Sequence, residues 1–232
     1  MQGIHSFILV LGVLTFPSCS SVLVLLDKPP RGYNTFDAYG YSNLNQIGIN
    51  AVIRELASSP IHTTSQYDMI YGFSGWANTL NETSGEWLWH LDSYGLPIPA
   101  PERFSPGSMN PPEAAETANQ LGLHFGLWHI RGIHRSSAAN KLPVKGMEQY
   151  TLDQLVDVES VGGGKNGSCL WNPDWLGVNA SHPAAQAYYD AVVDQLISFG
   201  ASVIEYDCMF CAPCYRDEML LVTEAVRKRP GE

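Results

Sequence analysis

The chain has 232 residues, of which 45% are apolar and 11% aromatic, enough to bury a sizeable core in one domain or in part of a larger one. Its net charge of −10 argues against nucleic acid and anionic membranes as partners, since both need a basic protein face. The composition favours a protein that handles neutral ligands, and its many aromatic residues would suit either a core or a cleft that stacks on sugars.

The first 20 residues are predicted to be a signal peptide, and residues 21–232 to be the folded part. Residues 7–16 form an apolar run that is too short to span a bilayer, and the small residues 18–20 offer a cleavage site after Ser20. Glycosylation sequons support this prediction; they begin at Asn81, Asn166 and Asn179. We therefore expect a protein that is secreted or resides in an endomembrane, vacuolar or lysosomal lumen, and is free of the membrane once the signal is removed.

Extended segments alternate with helical ones along the rest of the chain. The predicted strands cover residues 32–40, 67–73, 123–129 and 201–207. The predicted helices lie around residues 49–56, 111–121, 183–199 and 217–227, and glycines at 122 and 200 end two of them. The long connections 74–108 and 131–168 are expected to carry function.

This order predicts an α/β fold with a parallel sheet of about four βα units. Four units make half of a (β/α)8 barrel, and they also suffice for a small open sheet. The pattern leaves both architectures open. The half-barrel would leave the edges of the first and fourth strands unpaired and would uncover inward-facing residues such as Val203.

The fourth predicted strand ends on a carboxylate. Val203, Glu205 and Asp207 alternate along it and therefore share one face, with Asp207 at the C-terminal tip. Catalytic residues occupy such tips in parallel α/β folds, although an Asp there can also simply form a turn or cap a helix.

Four cysteines follow the predicted signal: Cys169, Cys208, Cys211 and Cys214. In a secreted chain this even number predicts two disulfides, and the first pairings to test are Cys169 with Cys208 and Cys211 with Cys214. The C-x2-C-x2-C spacing leaves an iron–sulfur or zinc cluster, or a redox dithiol, as alternatives. His129 and His134 lack a third ligand, so no metal site is expected there, and no phosphate-binding or other cofactor motif is present.

The motifs together resemble those of the clan D α-galactosidases (melibiases) among the glycoside hydrolases, closest to their plant and microbial branch. The resemblance spans residues 29 to about 228. It rests on residues 29–37 (PPRGYNTFD), 91–95 (LDSYG) with 101–106 (PERFSP), 123–132 (LHFGLWHIRG) and 184–207, in the family's order.

The resemblance implies the N-terminal part of a (β/α)8 catalytic barrel with Asp207 as the nucleophile of a retaining glycosidase. The second carboxyl, the acid/base, would come from a later strand beyond residue 232, so the chain alone should be a poor enzyme. The implied partner is an oligosaccharide or glycoconjugate with terminal α-galactose or a similar sugar, with no cofactor. The implied substrate-binding residues are Phe36, Asp37, Phe73, Trp76, Trp128, His129, Arg131, Trp171 and Glu205.

Three positions depart from the family pattern. Phe73 and Ser74 stand where the family has two adjacent acids, and Glu205 stands where it has a lysine, which should raise the proton affinity of the pair with Asp207. Glu205 could bind substrate, serve as a repurposed acid or be a satisfied interior residue, and each tryptophan could belong to the core. A non-catalytic carbohydrate-binding relative therefore stays open beside the glycosidase.

Overall fold

The computed structural model describes residues 8–9, 31–40, 46–73, 75–81, 83–104, 111–158, 167–209 and 215–229. The strands are β1 (Ile8–Leu9), β2 (Gly32–Asn34), β3 (Met69–Phe73), β4 (Asn78–Leu80), β5 (Trp87–Trp89), β6 (His124–Ile130), β7 (Ile133–His134), β8 (Trp175–Leu176) and β9 (Val203–Asp207). The α-helices are α1 (Thr35–Tyr39), α2 (Gln46–Ser58), α3 (Pro60–Ser65), α4 (Pro111–Gln120), α5 (Arg135–Ala139), α6 (Ala185–Ser198) and α7 (Arg216–Arg227), and a 3-10 helix covers Leu152–Leu155.

A five-stranded parallel sheet forms the centre of the fold, in the order β1-β9-β6-β3-β2. The four predicted strands correspond to β2, β3, β6 and β9, and these four lie across the sheet in the order in which they follow one another along the chain. This sequential winding is that of a (β/α)8 barrel, because an open doubly wound sheet reverses its strand order partway. The α/β class and the partial barrel are therefore confirmed.

Helix α2 covers one side of this sheet with the apolar stripe that its sequence predicts. Ile49, Val52, Ile53 and Leu56 are all buried in the main core. Helices α4, α6 and α7 bury residues in the same core, so the helices and the sheet face that they cover form one continuous apolar layer. No helix within the described ranges combines the length and hydrophobicity needed to cross a bilayer.

The first predicted strand is shorter than expected. It ends at Asn34, whose side-chain oxygen accepts a hydrogen bond from the Phe36 backbone N–H at 2.9 Å and so caps helix α1. An Asn in this role satisfies a backbone donor that the first helical turn leaves unpaired. Phe36 and Asp37 consequently lie on a short helix at the C-terminal end of β2, rather than in an extended strand.

The outer edge of β9 is paired with another strand, although a half-barrel was expected to leave it unpaired. Ile8 and Leu9 pair with Val203 and Ile204 in parallel. Val203 is fully buried and packs in a small cluster with Met69 and Tyr71. Strand β1 lies within the predicted signal peptide, whose removal stays a prediction.

Gly126 allows this small cluster to close across β6. It pairs with Val203, and a Cβ atom added at Gly126 would lie 2.7 Å from Tyr71 Cβ and 3.0 Å from Val203 Cβ. The first distance is shorter than real Cβ contacts, and the second is tighter than nine in ten of them. The glycine thus sets how closely the side chains of β3 and β9 approach each other on this face.

We expect Gly126→Ala to lower the free energy of unfolding by about 1–3 kcal/mol, the usual effect of overpacking a core. The new methyl group would force apart Tyr71 and Val203, and neither neighbouring strand can move freely. Urea denaturation of both proteins measures the difference. An unchanged free energy of unfolding would mean that β3 and β9 do not approach each other across Gly126.

Candidate functional site

Strand β9 carries the two carboxylates of the site on one face. Its pairing with β6 places Glu205 beside Trp128 and Asp207 beside Ile130. In a parallel pair, residues at the same register point to the same side of the sheet. Trp128, Glu205 and Asp207 therefore share the face opposite the main helix-covered core.

The Asp207 carboxylate is held in place at the strand tip by hydrogen bonds to both of its oxygens. The Trp128 indole N–H donates to Oδ2 at 3.1 Å, and the backbone N–H of Cys208 donates to Oδ1. The side chain is only half-buried, so it remains open to a ligand. This carboxylate is oriented before any ligand arrives.

Glu205 has a different environment. Its Oε2 atom is buried, and no other described residue forms a hydrogen bond with it. Burial raises the pKa of Glu205 to about 7, and the negative charges of Asp207 and Asp37 act in the same direction. Near neutral pH the side chain is therefore protonated in a large fraction of molecules, in agreement with the raised proton affinity expected for the pair.

Asp37 and Tyr71 complete this polar part of the site. Burial raises the pKa of Tyr71, and the nearby carboxylates of Glu205 and Asp37 raise it further. Helix α1 thus brings Asp37, and β3 brings Tyr71, towards Glu205. Tyr71 was not predicted, although its place between Met69 and Phe73 on a strand ending near the site could have indicated it.

Four tryptophans form a cluster beside Asp207: Trp89, Trp128, Trp171 and Trp175. Trp89 stacks on Trp128 with ring centroids 6.2 Å apart and contacts Trp175 edge to face at 4.8 Å. Trp171 lies 6.4 Å from Trp128 and remains 50% exposed. The cluster contains the predicted Trp128 and Trp171. Trp89 lies in the first long connection and Trp175 on β8, and both were missed.

The Cys169–Cys208 disulfide ties the Trp171 segment to the strand tip, and it is one of the two pairings that the sequence put first for testing. Cys208 directly follows Asp207 and has a φ of 61°, a left-handed conformation that a non-glycine residue adopts only when its surroundings impose it. Cys211 and Cys214 lie outside the described residues. Within those residues, no group of three or more acidic, histidine or cysteine side chains could hold a metal ion.

Arg131, which the sequence placed among the substrate-binding residues, is buried and holds neighbouring segments together. It is fully buried and donates to Glu218 Oε1 at 2.6 Å, to the Gly167 carbonyl at 2.6 Å and to the Cys208 carbonyl at 3.0 Å. Its guanidinium also lies over the Tyr215 ring. One side chain thus connects α7, the segment before Cys169 and the tip of β9.

Phe73, Trp76 and His129 are also buried away from the carboxylates. A bulge between Ile70 and Phe73 reverses the alternation of β3, so Phe73 packs in the main core. The Trp76 indole donates to the Trp128 carbonyl at 2.8 Å within that core.

His129 pairs with Tyr206 on the opposite face from Trp128, and burial lowers its pKa to about 3. Phe36 is exposed. Ser74 lies outside the described residues. Asp37, Trp128, Trp171, Glu205 and Asp207 are therefore the predicted site residues that the structure brings together.

Several solved structures that this chain resembles in fold are described as glycosidases. A candidate α-N-acetylgalactosaminidase from Bacillus halodurans C-125 has a TM-score of 0.73 and 24% identity, and the match covers 90% of this chain and 49% of that chain. A β-L-arabinopyranosidase of glycoside hydrolase family 27 from Geobacillus stearothermophilus has a TM-score of 0.69 and 22% identity, covering 87% of this chain and 47% of that chain in its arabinose complex. The galactosidase domain of an α-galactosidase–sucrose kinase has a TM-score of 0.51 and 14% identity, covering 90% and 26%.

These likenesses confirm the fold expected from the clan D resemblance, and at such identities they show the fold alone. The chain spans about half the length of the first two structures. No family model matches the chain, and no curated protein matches it.

Removing the disulfide by Cys169→Ala with Cys208→Ala should lower the free energy of unfolding by about 2–4 kcal/mol, because the bridge closes a loop between residues 39 apart. Urea denaturation of both proteins without reductant measures the difference. Peptide mapping of the unreduced wild type after alkylation provides the control. Alkylated Cys169 and Cys208 in that map, or equal stabilities, would contradict the assignment.

Proposed function

We propose that this chain forms the sugar-binding and nucleophile-bearing part of a retaining glycoside hydrolase that acts on α-galactosides. The observation that carries the proposal is the oriented Asp207 carboxylate at the tip of β9, next to the tryptophan cluster. Barrel enzymes place their catalytic groups at such C-terminal strand ends. The shared fold also supports the broader part of this proposal, that the protein is a glycoside hydrolase.

In this mechanism Asp207 attacks the anomeric carbon of the glycone, the sugar unit that is transferred. A carbon–oxygen bond forms to the carboxylate while the bond to the leaving group breaks, and water later cleaves the glycosyl ester. The hydrogen bonds from Trp128 and Cys208 hold the attacking carboxylate in one orientation, which lowers the entropic part of the barrier. The half-exposed Trp171 supplies an apolar face for a sugar ring.

The second carboxyl of a retaining mechanism has to protonate the leaving group and later activate water. Glu205 is poorly placed for that role, because it precedes Asp207 by two residues and so lies about 6–7 Å deeper along the strand. The leaving group instead points outward, towards the open C-terminal end of the barrel. We assign the acid/base to a residue in the part of the barrel that the matched structures have and this chain does not cover.

A non-catalytic carbohydrate-binding protein is the second candidate. The carboxyl pair favours this candidate. A nucleophile has to be ionised, and the like charge of Glu205 near Asp207 disfavours full ionisation of the two groups. Such a protein would keep the tryptophan cluster and the polar groups for binding alone. For either candidate we propose a secretory or luminal location, where the Cys169–Cys208 bridge would persist.

A covalent trap distinguishes the two candidates. We expect 5-fluoro-α-D-galactopyranosyl fluoride to label Asp207, because fluoride leaves without a proton donor and the ring fluorine slows the breakdown of the ester. Intact-mass and peptide mass spectrometry should detect one added fluorogalactosyl group on the peptide that contains Asp207.

Asp207→Asn should abolish the label, and Glu86→Gln, which changes an exposed carboxylate, should keep it. Binding of galactosides without any adduct would favour the carbohydrate-binding candidate. An adduct on a different residue would contradict the assignment of Asp207.

A further inference from the structure

Glu205 presents an unsatisfied acceptor to the site. The buried Oε2 atom has no hydrogen-bond partner among the described residues, in contrast to Asp207, whose two carboxylate oxygens both accept hydrogen bonds. Buried polar atoms are almost always paired, and leaving one unpaired is unfavourable. A ligand that donates a hydrogen bond at this point would remove that penalty.

The position of Glu205 along β9 indicates which part of a ligand it meets. Glu205 and Asp207 lie on the same face, and Glu205 is the deeper of the two because it is nearer the N-terminal end of the strand. When Asp207 faces the anomeric carbon, as the proposed function requires, Glu205 faces the part of the ring remote from that carbon. It would therefore contact the glycone and not the leaving group.

The groups around Glu205 favour a cation at this point. Asp207 on the same strand and Asp37 on α1 both act on Glu205 as negative charges, and Tyr71 on β3 adds a neutral hydroxyl group. A neutral hydroxyl of a sugar could pair with Oε2, but an ammonium group would stabilise the ionised form of Glu205, pair with Oε2 and offset the repulsion among the carboxylates. An anionic sugar would add to that repulsion.

We propose that Glu205 is the specificity-determining residue of this site, and that it selects a glycone with a protonated amino group on the part of the ring remote from the anomeric carbon. This inference rests on the proposed function, because the orientation of the sugar follows from the anomeric carbon facing Asp207. It assigns the substrate class as unacetylated amino sugars, in preference to neutral or acidic ones.

The test is a comparison of dissociation constants near neutral pH by isothermal titration calorimetry. The probes are methyl α-galactopyranoside, its 4-amino-4-deoxy and 6-amino-6-deoxy analogues, and methyl α-galactopyranosiduronate. The full chain should bind at least one amino analogue about 10-fold or more tightly than the neutral galactoside, as expected for a charge-assisted hydrogen bond. It should bind the uronate most weakly.

Glu205→Gln keeps the size of the side chain and removes its charge, so this variant should bind the amino and neutral sugars about equally. Glu205→Lys should reverse the order in favour of the uronate. Glu86→Gln, which changes an exposed carboxylate, is the matched control, and it should keep the preference for the amino sugar because Glu205 is intact.

The outcomes separate this inference from the proposed function. Equal or tighter binding of the neutral galactoside by the wild type would overturn the role of Glu205 and leave the proposed function standing. This comparison uses the wild type alone, so it does not depend on whether a variant folds. A preference for the amino sugar that survives in Glu205→Gln would also overturn it. Failure of all four sugars to bind would overturn the proposed function and this inference with it.

Discussion

The pairing of β9 with β6 is the constraint on which the site depends. Five consecutive register pairs fix which residues of β9 face the tryptophan cluster and which face the helices. A slip of one residue would turn Glu205 and Asp207 into the helix-covered core and bring Tyr206 to the site. Burial of Ile204 and Tyr206 in the main core opposes that slip, so the apolar half of the strand holds the polar half in position.

The tip of β9 is held by contacts outside the sheet. The guanidinium of Arg131 bonds to the Cys208 carbonyl, and the Cys208 sulfur is bridged to Cys169, so the residue after Asp207 is fixed from two directions. Glu218 of α7 neutralises Arg131 within this buried region, where an unpaired charge would be very unfavourable. The Asp207 carboxylate is therefore held by rigid surroundings. A catalytic group needs such surroundings if it is to be oriented before the substrate arrives.

Sequence periodicity was sufficient for the strands, for the buried stripe of α2 and for the shared face of Glu205 and Asp207, because each depends on local alternation. Periodicity gave wrong or missing predictions where a bulge breaks the alternation of a strand and where the contacting residues are far apart in sequence. The bulge in β3 turned Phe73 into the core and left Tyr71 facing the site. Trp89 reaches Trp128 from a separate hairpin, a contact between residues far apart in sequence that no local pattern encodes.

The most direct test of this account is a carbon-13 NMR titration of the Glu205 side-chain carboxyl, with Glu205→Gln used to assign its signal. The account predicts a midpoint at about pH 7 in the wild type. It also predicts a lower midpoint in Asp207→Asn, because that variant removes a neighbouring negative charge that raises the pKa of Glu205. A midpoint at the ordinary value of a glutamate, unchanged by Asp207→Asn, would show that the two carboxyl groups do not share a partly buried site.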